Sequence, residues 1–393
     1  MTEENARTYG ETPLLARFRG CLLGGAVGDA LGAPVEFWSR SEILKQFGPD
    51  GVRDYIPAYG RIGAITDDTQ MTLFTADALL RGYIRMATKR IGVHGLLMRH
   101  GYLRWYRTQG YRHRDLGDDG MNGWLLTHRA LFDRRAPGNT CLSALRASQV
   151  DGVANNTSKG CGTVMRVAPI GLYAHVHHGS RGPEQAFALG MDCSRITHGH
   201  ITATLSAGFL SALIAAICLG QTLDQAIETC IVLLRAHDGH DETLAAIDAA
   251  YCAARRSPNS ADSLASLGEG WVAEEALAIA LYCALGCTDF ESALSLAVSH
   301  EGDSDSTGAI VGNILGALHG DRVIPERWLT PLELRDVIRD IADDLANHRG
   351  WPIMSWSSPD SGIPDTPEGL AQKAQVKARD DEQARIIQRY PPG

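Results

Sequence analysis

Hydrophobic positions recur at helical spacing along most of this chain. From Leu14 onward, Ala- and Leu-rich stretches alternate with short Gly, Pro, Asn and Asp clusters, and period-two runs of β-branched residues are scarce. The pattern predicts helices over about 14–31, 69–87, 92–107, 122–134, 141–147, 183–194, 201–219, 222–235, 242–254, 272–285, 289–298, 307–318 and 331–346. The fold class expected is all-α, one compact multi-helix domain over 17–346, because no linker, composition shift or fixed repeat divides the middle of the chain. Residues 1–16 read as a polar N-terminal extension. Residues 347–393, rich in Pro, Ser, Asp, Gln and Lys, read as a polar and irregular C-terminal one.

One stretch, Ile201 to Leu223, carries no charge and is long enough to cross a bilayer. Thr202, Thr204, Ser206 and Ser211 interrupt it and no basic cluster flanks it, so it is expected to be a core helix, with no membrane association. The 37 Lys and Arg against 46 Asp and Glu leave a net charge of −9, which repels a phosphate backbone and argues against nucleic acid as a partner. Nine cysteines without a C-x-x-C pair, mostly in Ala/Leu-rich surroundings, read as buried thiols of a reducing compartment. Together with an acidic, polar start they place the protein in the cytoplasm.

Candidate chemistry concentrates in two acidic clusters. Thr66-Asp67-Asp68-Thr69 and Glu301-Gly302-Asp303-Ser304-Asp305-Ser306 each stand just before a helix. Capping alone explains a lone Thr-Asp-Asp-Thr, since the unpaired amides of a first turn favour such residues. Two clusters richer in carboxylate and hydroxyl than capping requires are also what a shared site for magnesium or manganese supplies. An EF-hand is excluded by the missing downstream acid, and a P-loop by the absence of Lys-Ser or Lys-Thr after Gly160-Cys161-Gly162-Thr163. Those glycines still let a backbone approach a ligand closely, as they also would in an ordinary tight turn. Asp29, among small apolar residues, needs a partner or a function, and Glu36 is a loop carboxylate. His175, His177, His178, His237 and His240 read as surface residues, whereas His198 either contacts a ligand or caps the long apolar helix.

Taken together, Gly28-Asp29-Ala30-Leu31-Gly32 with Glu36, Thr66-Asp67-Asp68-Thr69, Gly160-x-Gly162-x-x-Met165-Arg166, Thr197-His198 and Gly302-Asp303-x-Asp305-Ser306 resemble, in order and spacing over about 17–320, the ADP-ribosylglycohydrolase family. The resemblance implies an all-α hydrolase that removes ADP-ribose from modified protein side chains, with two Mg2+ (Mn2+ possible) between the acidic clusters. Carried over, Thr66, Asp67, Asp68, Asp303, Asp305 and Ser306 are metal ligands, and Glu36, Asp67 and Asp303 are catalytic. Asp29, Gly160, Gly162 and His198 bind or support the substrate. ADP-ribosyl-arginine is the first linkage implied. Two other readings stay open: a protective, immunity-type protein that reverses or blocks a toxin ADP-ribosyltransferase, and a non-catalytic structural or binding member of the fold. The chain departs from the family pattern at Glu301, where a Gly is usual, at Ser306 for Thr, and at Cys161 for Asn.

Overall fold

A computed structural model describes residues 13–92, 94–149, 152–353 and 363–392. Residues 1–12, most of the expected N-terminal extension, and 354–362 of the expected C-terminal one lie outside the described residues. Among the described residues seventeen α-helices follow in order: α1 (Leu14–Gly32), α2 (Arg40–Phe47), α3 (Asp67–Lys89), α4 (His94–Thr108), α5 (Asn139–Ala147), α6 (Ala168–His178), α7 (Gly182–Arg195), α8 (Ile201–Cys218), α9 (Leu223–Arg235), α10 (Asp241–Arg256), α11 (Ala261–Ala265), α12 (Ala273–Gly286), α13 (Phe290–Val298), α14 (Ser304–His319), α15 (Glu326–Leu329), α16 (Arg335–Asn347) and α17 (Pro367–Arg389). The described residues hold no strand, only isolated bridges at Ala58–Arg61 and Gly160–Val272.

The pairing that organises the molecule is α1 against α14, antiparallel, through glycines four residues apart. A Cβ on Gly20, Gly24 or Gly28 would lie 2.2, 2.4 or 2.0 Å from the carbonyl oxygens of Gly316, Gly312 and Gly308, and one on Gly32 would lie 2.3 Å from that of Ser304. No real Cβ fits there, so the two backbones touch along four turns. The contact sets the first turn of α14 beside the C-terminal end of α1. Asn313 adds a hydrogen bond from Nδ2 to the Cys21 carbonyl at 2.7 Å.

Helix α8 is the core helix expected, with every residue from Thr202 to Cys218 buried against α6, α7, α9, α12 and α14. It is the one helix among the described residues with the length and hydropathy of a membrane span, and that apolar surface is taken up by the protein interior. The expected helix over 122–134 is instead two 3-10 turns, Trp124–Thr127 and Arg129–Phe132. Gly123 enters at φ 95° and His128 between the turns is extended, which breaks an α-ladder. Helix α6 falls outside the predicted set; Pro169 sits in its first turn, where a missing N–H costs nothing. His175 and His177, expected at the surface, are half-buried on its last turn, with His177 Nε2 2.7 Å from His348 Nε2.

The C-terminal stretch also corrects the sequence reading, since α17 is a regular, largely exposed helix whose end is docked. Tyr390 is fully buried, stacks on Trp351 at 5.7 Å and donates its hydroxyl to Asp344 at 2.5 Å. Arg81 and Arg85 on α3 donate to the carbonyls of Pro391 and Pro392, each at 3.0 Å. The polar composition hides this because the attachment is made by the last few residues, not by an apolar stripe. Tyr390→Ala is expected to lower the unfolding free energy by about 3 kcal/mol, the scale for deleting a buried aromatic ring. Urea titration measures it, and a midpoint equal to the unmodified protein's would refute the docking.

Candidate active site

The carboxylate of Asp29, one turn before the end of α1, is where the site begins. It is fully buried and accepts the N–H of Thr66 (3.1 and 3.0 Å) and of Thr69 (3.1 Å), together with the Thr69 hydroxyl. Burial lifts its pKa to about 6, opposed by those hydrogen bonds. Both oxygens are spent on the first turn of α3. Asp29 therefore braces the turn from beneath, the supporting role among the two its assignment allowed.

That turn is capped by Thr66, whose hydroxyl accepts the Asp68 N–H at 3.3 Å. Asp67 accepts the Gly138 N–H at 3.1 Å. The other cluster caps α14: Asp303 accepts the Ser306 N–H at 3.4 Å, and Asp305 accepts the same N–H at 3.0 Å. Gly302, at φ 128°, passes so close to Glu269 that a Cβ would lie 2.0 Å from its carbonyl oxygen. Both starts are thus true caps, and capping uses only part of their oxygen.

The rest converges. Glu36, Asp303 and Asp305 each bring one oxygen within 4.8 Å of the others, and the Asp68 carboxyl is close enough to feel both Ser306 and Asp303 across the gap between the clusters. Segments about 235 residues apart in sequence meet here. Asp29, Glu36, Asp67, Asp68, Asp303 and Asp305 are all buried, and among the described residues none of them makes an ion pair. Burial first, then mutual repulsion, pushes Glu36 up to about 8 and Asp67 up to about 8, and holds Asp68 and Asp305 well above the carboxylate range. Glu36 Oε2 and Asp68 Oδ2 are buried without a hydrogen-bond partner. Unsatisfied buried carboxylate is costly, by several kcal/mol per ion, unless a cation or protons neutralise it. A donor set made only of carboxylates, with the Thr66 and Ser306 hydroxyls, fits magnesium or manganese.

The glycine loop closes one side of the site. Cys161 donates its N–H to the Trp271 carbonyl (3.1 Å) and Ala273 to that of Lys159 (2.8 Å), pinning the loop to the start of α12. The amides of Gly160 and Cys161 are thereby satisfied within the protein, by Ser158 Oγ and Trp271, so neither is free for a diphosphate. The glycines also answer a packing need. A Cβ on Gly160 would lie 3.1 Å from His198 Nε2, and one on Gly162 would lie 2.9 Å from Cys141 Sγ. His198 is buried, and burial together with Arg166 lowers its pKa to about 3. Arg166 donates to Thr197 Oγ1 at 2.7 Å, and Thr197 Oγ1 lies 2.8 Å from His198 Nδ1. With the hydroxyl donating to Nδ1, the neutral ring carries its proton on Nε2, the edge facing the two glycines. The cap of α8 is His200, not His198.

Three features of the site escape a reading of motifs. The Cys161 thiol donates to Asp303 Oδ2. Tyr59 stands near the cluster, its phenol pushed up by burial and then by Glu36 and Asp305. Phe37, 74% exposed, stacks on Trp271 with ring centroids 5.9 Å apart, beside Glu36 and the glycine loop. Only the adjacency of Phe37 to Glu36 was visible in sequence.

The family description "ADP-ribosylglycohydrolase" matches residues 11–352. An ADP-ribosyl-[dinitrogen reductase] glycohydrolase of Rhodospirillum rubrum is 26% identical over 331 residues, covering 81% of this chain and 91% of the relative. The ADP-ribosylarginine hydrolase Tri1 of Serratia proteamaculans is 26% identical over 343 residues, covering 85% and 80%. A solved structure titled "ADP-ribosylglycohydrolase-related protein complex" superposes with a TM-score of 0.62 at 26% identity, over 85% of this chain and 98% of that one. A match that spans the helical domain, on a shared fold and with both acidic clusters meeting, means that this chain belongs to the ADP-ribosylglycohydrolase family.

Proposed function

We propose that this protein is a metal-dependent hydrolase that removes ADP-ribose from modified arginine side chains of proteins. The observation that carries the reading is the meeting of the Thr66–Asp68 and Asp303–Ser306 turns with Glu36, leaving two buried carboxylate oxygens without partners. The arginine linkage is supported by the Serratia relative, and a protein target by the Rhodospirillum one. Two magnesium ions, with manganese as the alternative, held by Thr66, Asp67, Asp68, Asp303, Asp305 and Ser306, would supply the positive charge this cluster lacks and Lewis acidity toward sugar hydroxyls and water.

The chain's own residues do the rest. In the reaction a water oxygen bonds to the anomeric carbon, the bond from that carbon to the guanidine nitrogen breaks, and the nitrogen takes a proton. The carboxylates of Asp67 and Asp303 would stand beside the sugar, where an oxocarbenium-like transition state develops positive charge. Glu36 handles the proton. Its Oε2 is buried beside the cluster with no competing partner, and burial favours the protonated carboxyl. Asp29 and the Arg166–Thr197–His198 chain position the turn and the loop that frame the pocket.

The test is release of ADP-ribose from an arginine-ADP-ribosylated protein, with magnesium or with chelator, beside a serine-linked substrate. Release from arginine that chelation abolishes is expected. Release from the serine substrate alone would overturn the linkage, and no release from either with metal bound would overturn the catalytic reading.

A further inference from the structure

Hard-cation chemistry leaves one side chain in the acidic centre without a use, the Cys161 thiol. Its backbone is clamped by the Trp271 carbonyl and by the Gly160–Val272 bridge, so the direction of the side chain is built in. Sγ donates to Asp303 Oδ2 and lies within the influence of the Ser306 hydroxyl and the Asp68 carboxylate. The same cleft holds Asp68 Oδ2 and Glu36 Oε2, both buried and unpartnered. Cys141 is differently engaged, beneath the loop, with Sγ 3.5 Å from Arg166 Nη1.

We propose that Cys161 makes this centre thiophilic, so that zinc, cadmium or cobalt(II) is held by Cys161 Sγ together with Asp303, whose carboxylate also groups with those of Glu36 and Asp305, and competes with magnesium. The inference rests on the reading of the cluster as a metal centre. On binding, the S–H bond breaks, its proton leaves to solvent, and the sulfur lone pair goes to the cation, freeing Asp303 Oδ2 from the thiol. Thiolate selects borderline and soft cations, whereas the remaining all-oxygen donors favour magnesium and manganese. A bound cation also inverts the local preference for a neutral thiol. The expected consequence is an enzyme that zinc or cadmium inhibits through one side chain.

Cobalt(II) added to the full-length protein tests this without reference to turnover. The expected spectrum has visible d–d bands and a near-ultraviolet sulfur-to-cobalt charge-transfer band, and Cys161→Ser loses only the second. The same variant is expected to bind zinc at least about tenfold more weakly, the lower end of what a single partner contributes to metal affinity. An unchanged melting temperature shows that this near-isosteric variant folds. Visible bands without charge transfer in the unmodified protein would overturn the role of Cys161 alone. Charge transfer that survives in Cys161→Ser would place cobalt on another cysteine and overturn it as well. No cobalt bands at all would overturn the metal centre and this inference with it.

Discussion

Asp68→Asn is expected to cut ADP-ribose release by at least about 100-fold and to remove most of the thermal stabilisation that magnesium gives. The bound follows from scale: losing a residue that only orients a metal ligand costs about 10–100-fold in affinity or activity, so losing a ligand costs more. Asp68 is a cleaner probe than Asp303, which also caps α14 and accepts the Cys161 thiol. Asn keeps the shape and can still meet Ser306. It removes a carboxyl that burial, and then Asp29, Asp67 and Asp303, push well above the ordinary carboxylate range, so the cost of holding that group in the metal-free fold disappears. The metal-free variant is therefore expected to melt higher than the metal-free parent, a gain in stability coupled to a loss of function.

The pH dependence has a definite sign. Glu36 and Asp67, up near 8 in the folded metal-free chain, bind protons there that the unfolded chain has already released above about pH 4.5. The folded state carries more protons, so these groups make the metal-free protein lose stability as pH rises from about 4.5 to 8. Magnesium displaces those protons, so its stabilising increment grows across the same window. Scanning calorimetry at several pH values, with and without magnesium, reads both effects. An increment that is flat with pH, or equal in Asp68→Asn, would remove the cluster as the metal centre.

What could be read before the structure follows the range of each interaction. Thr66 and Asp303 announce helix starts because a cap satisfies amides two or three residues away, so α3 and α14 were visible within a few residues. Asp29 was visible as a buried charge in need of partners. Its partners were not, because Thr66 and Thr69 reach it only through the way α1 meets α3. The meeting of the acidic clusters was legible only through resemblance, since it depends on contacts between α1 and α14. Cys161 read as the loss of an amide side chain, and only the clamp on Trp271 shows its thiol aimed at Asp303. The docking of α17 depends on Tyr390 and two proline carbonyls, too few positions to leave a pattern.

The α1–α14 contact itself offers a prediction in which two physical effects carry opposite signs. Gly312→Ala improves intrinsic helix propensity by about 1 kcal/mol, so local preference alone predicts a more stable protein. The added Cβ would lie 1.9 Å from the Gly24 carbonyl oxygen and 2.3 Å from its carbon, both backbone atoms in a helix that cannot turn aside. The helices must part, and overpacking of this kind typically costs about 1–3 kcal/mol, occasionally more; with rigid backbone on both sides, the upper end is expected. Sterics outweighs propensity, and a net loss of about 2 kcal/mol is expected in urea unfolding. Gly95→Ala is the control, because that helical glycine on α4 has no atom within 4 Å of an added Cβ. It should be neutral or stabilising by up to about 1 kcal/mol. Parting α1 from α14 also shifts Asp303 and Asp305 relative to Asp68, so Gly312→Ala, six residues from the nearer cluster, is expected to weaken magnesium binding too. Calorimetric titration of the folded variant measures that second effect. If Gly312→Ala and Gly95→Ala were equally stable and bound magnesium equally well, the close contact of the two helices would not be what brings the acidic turns together.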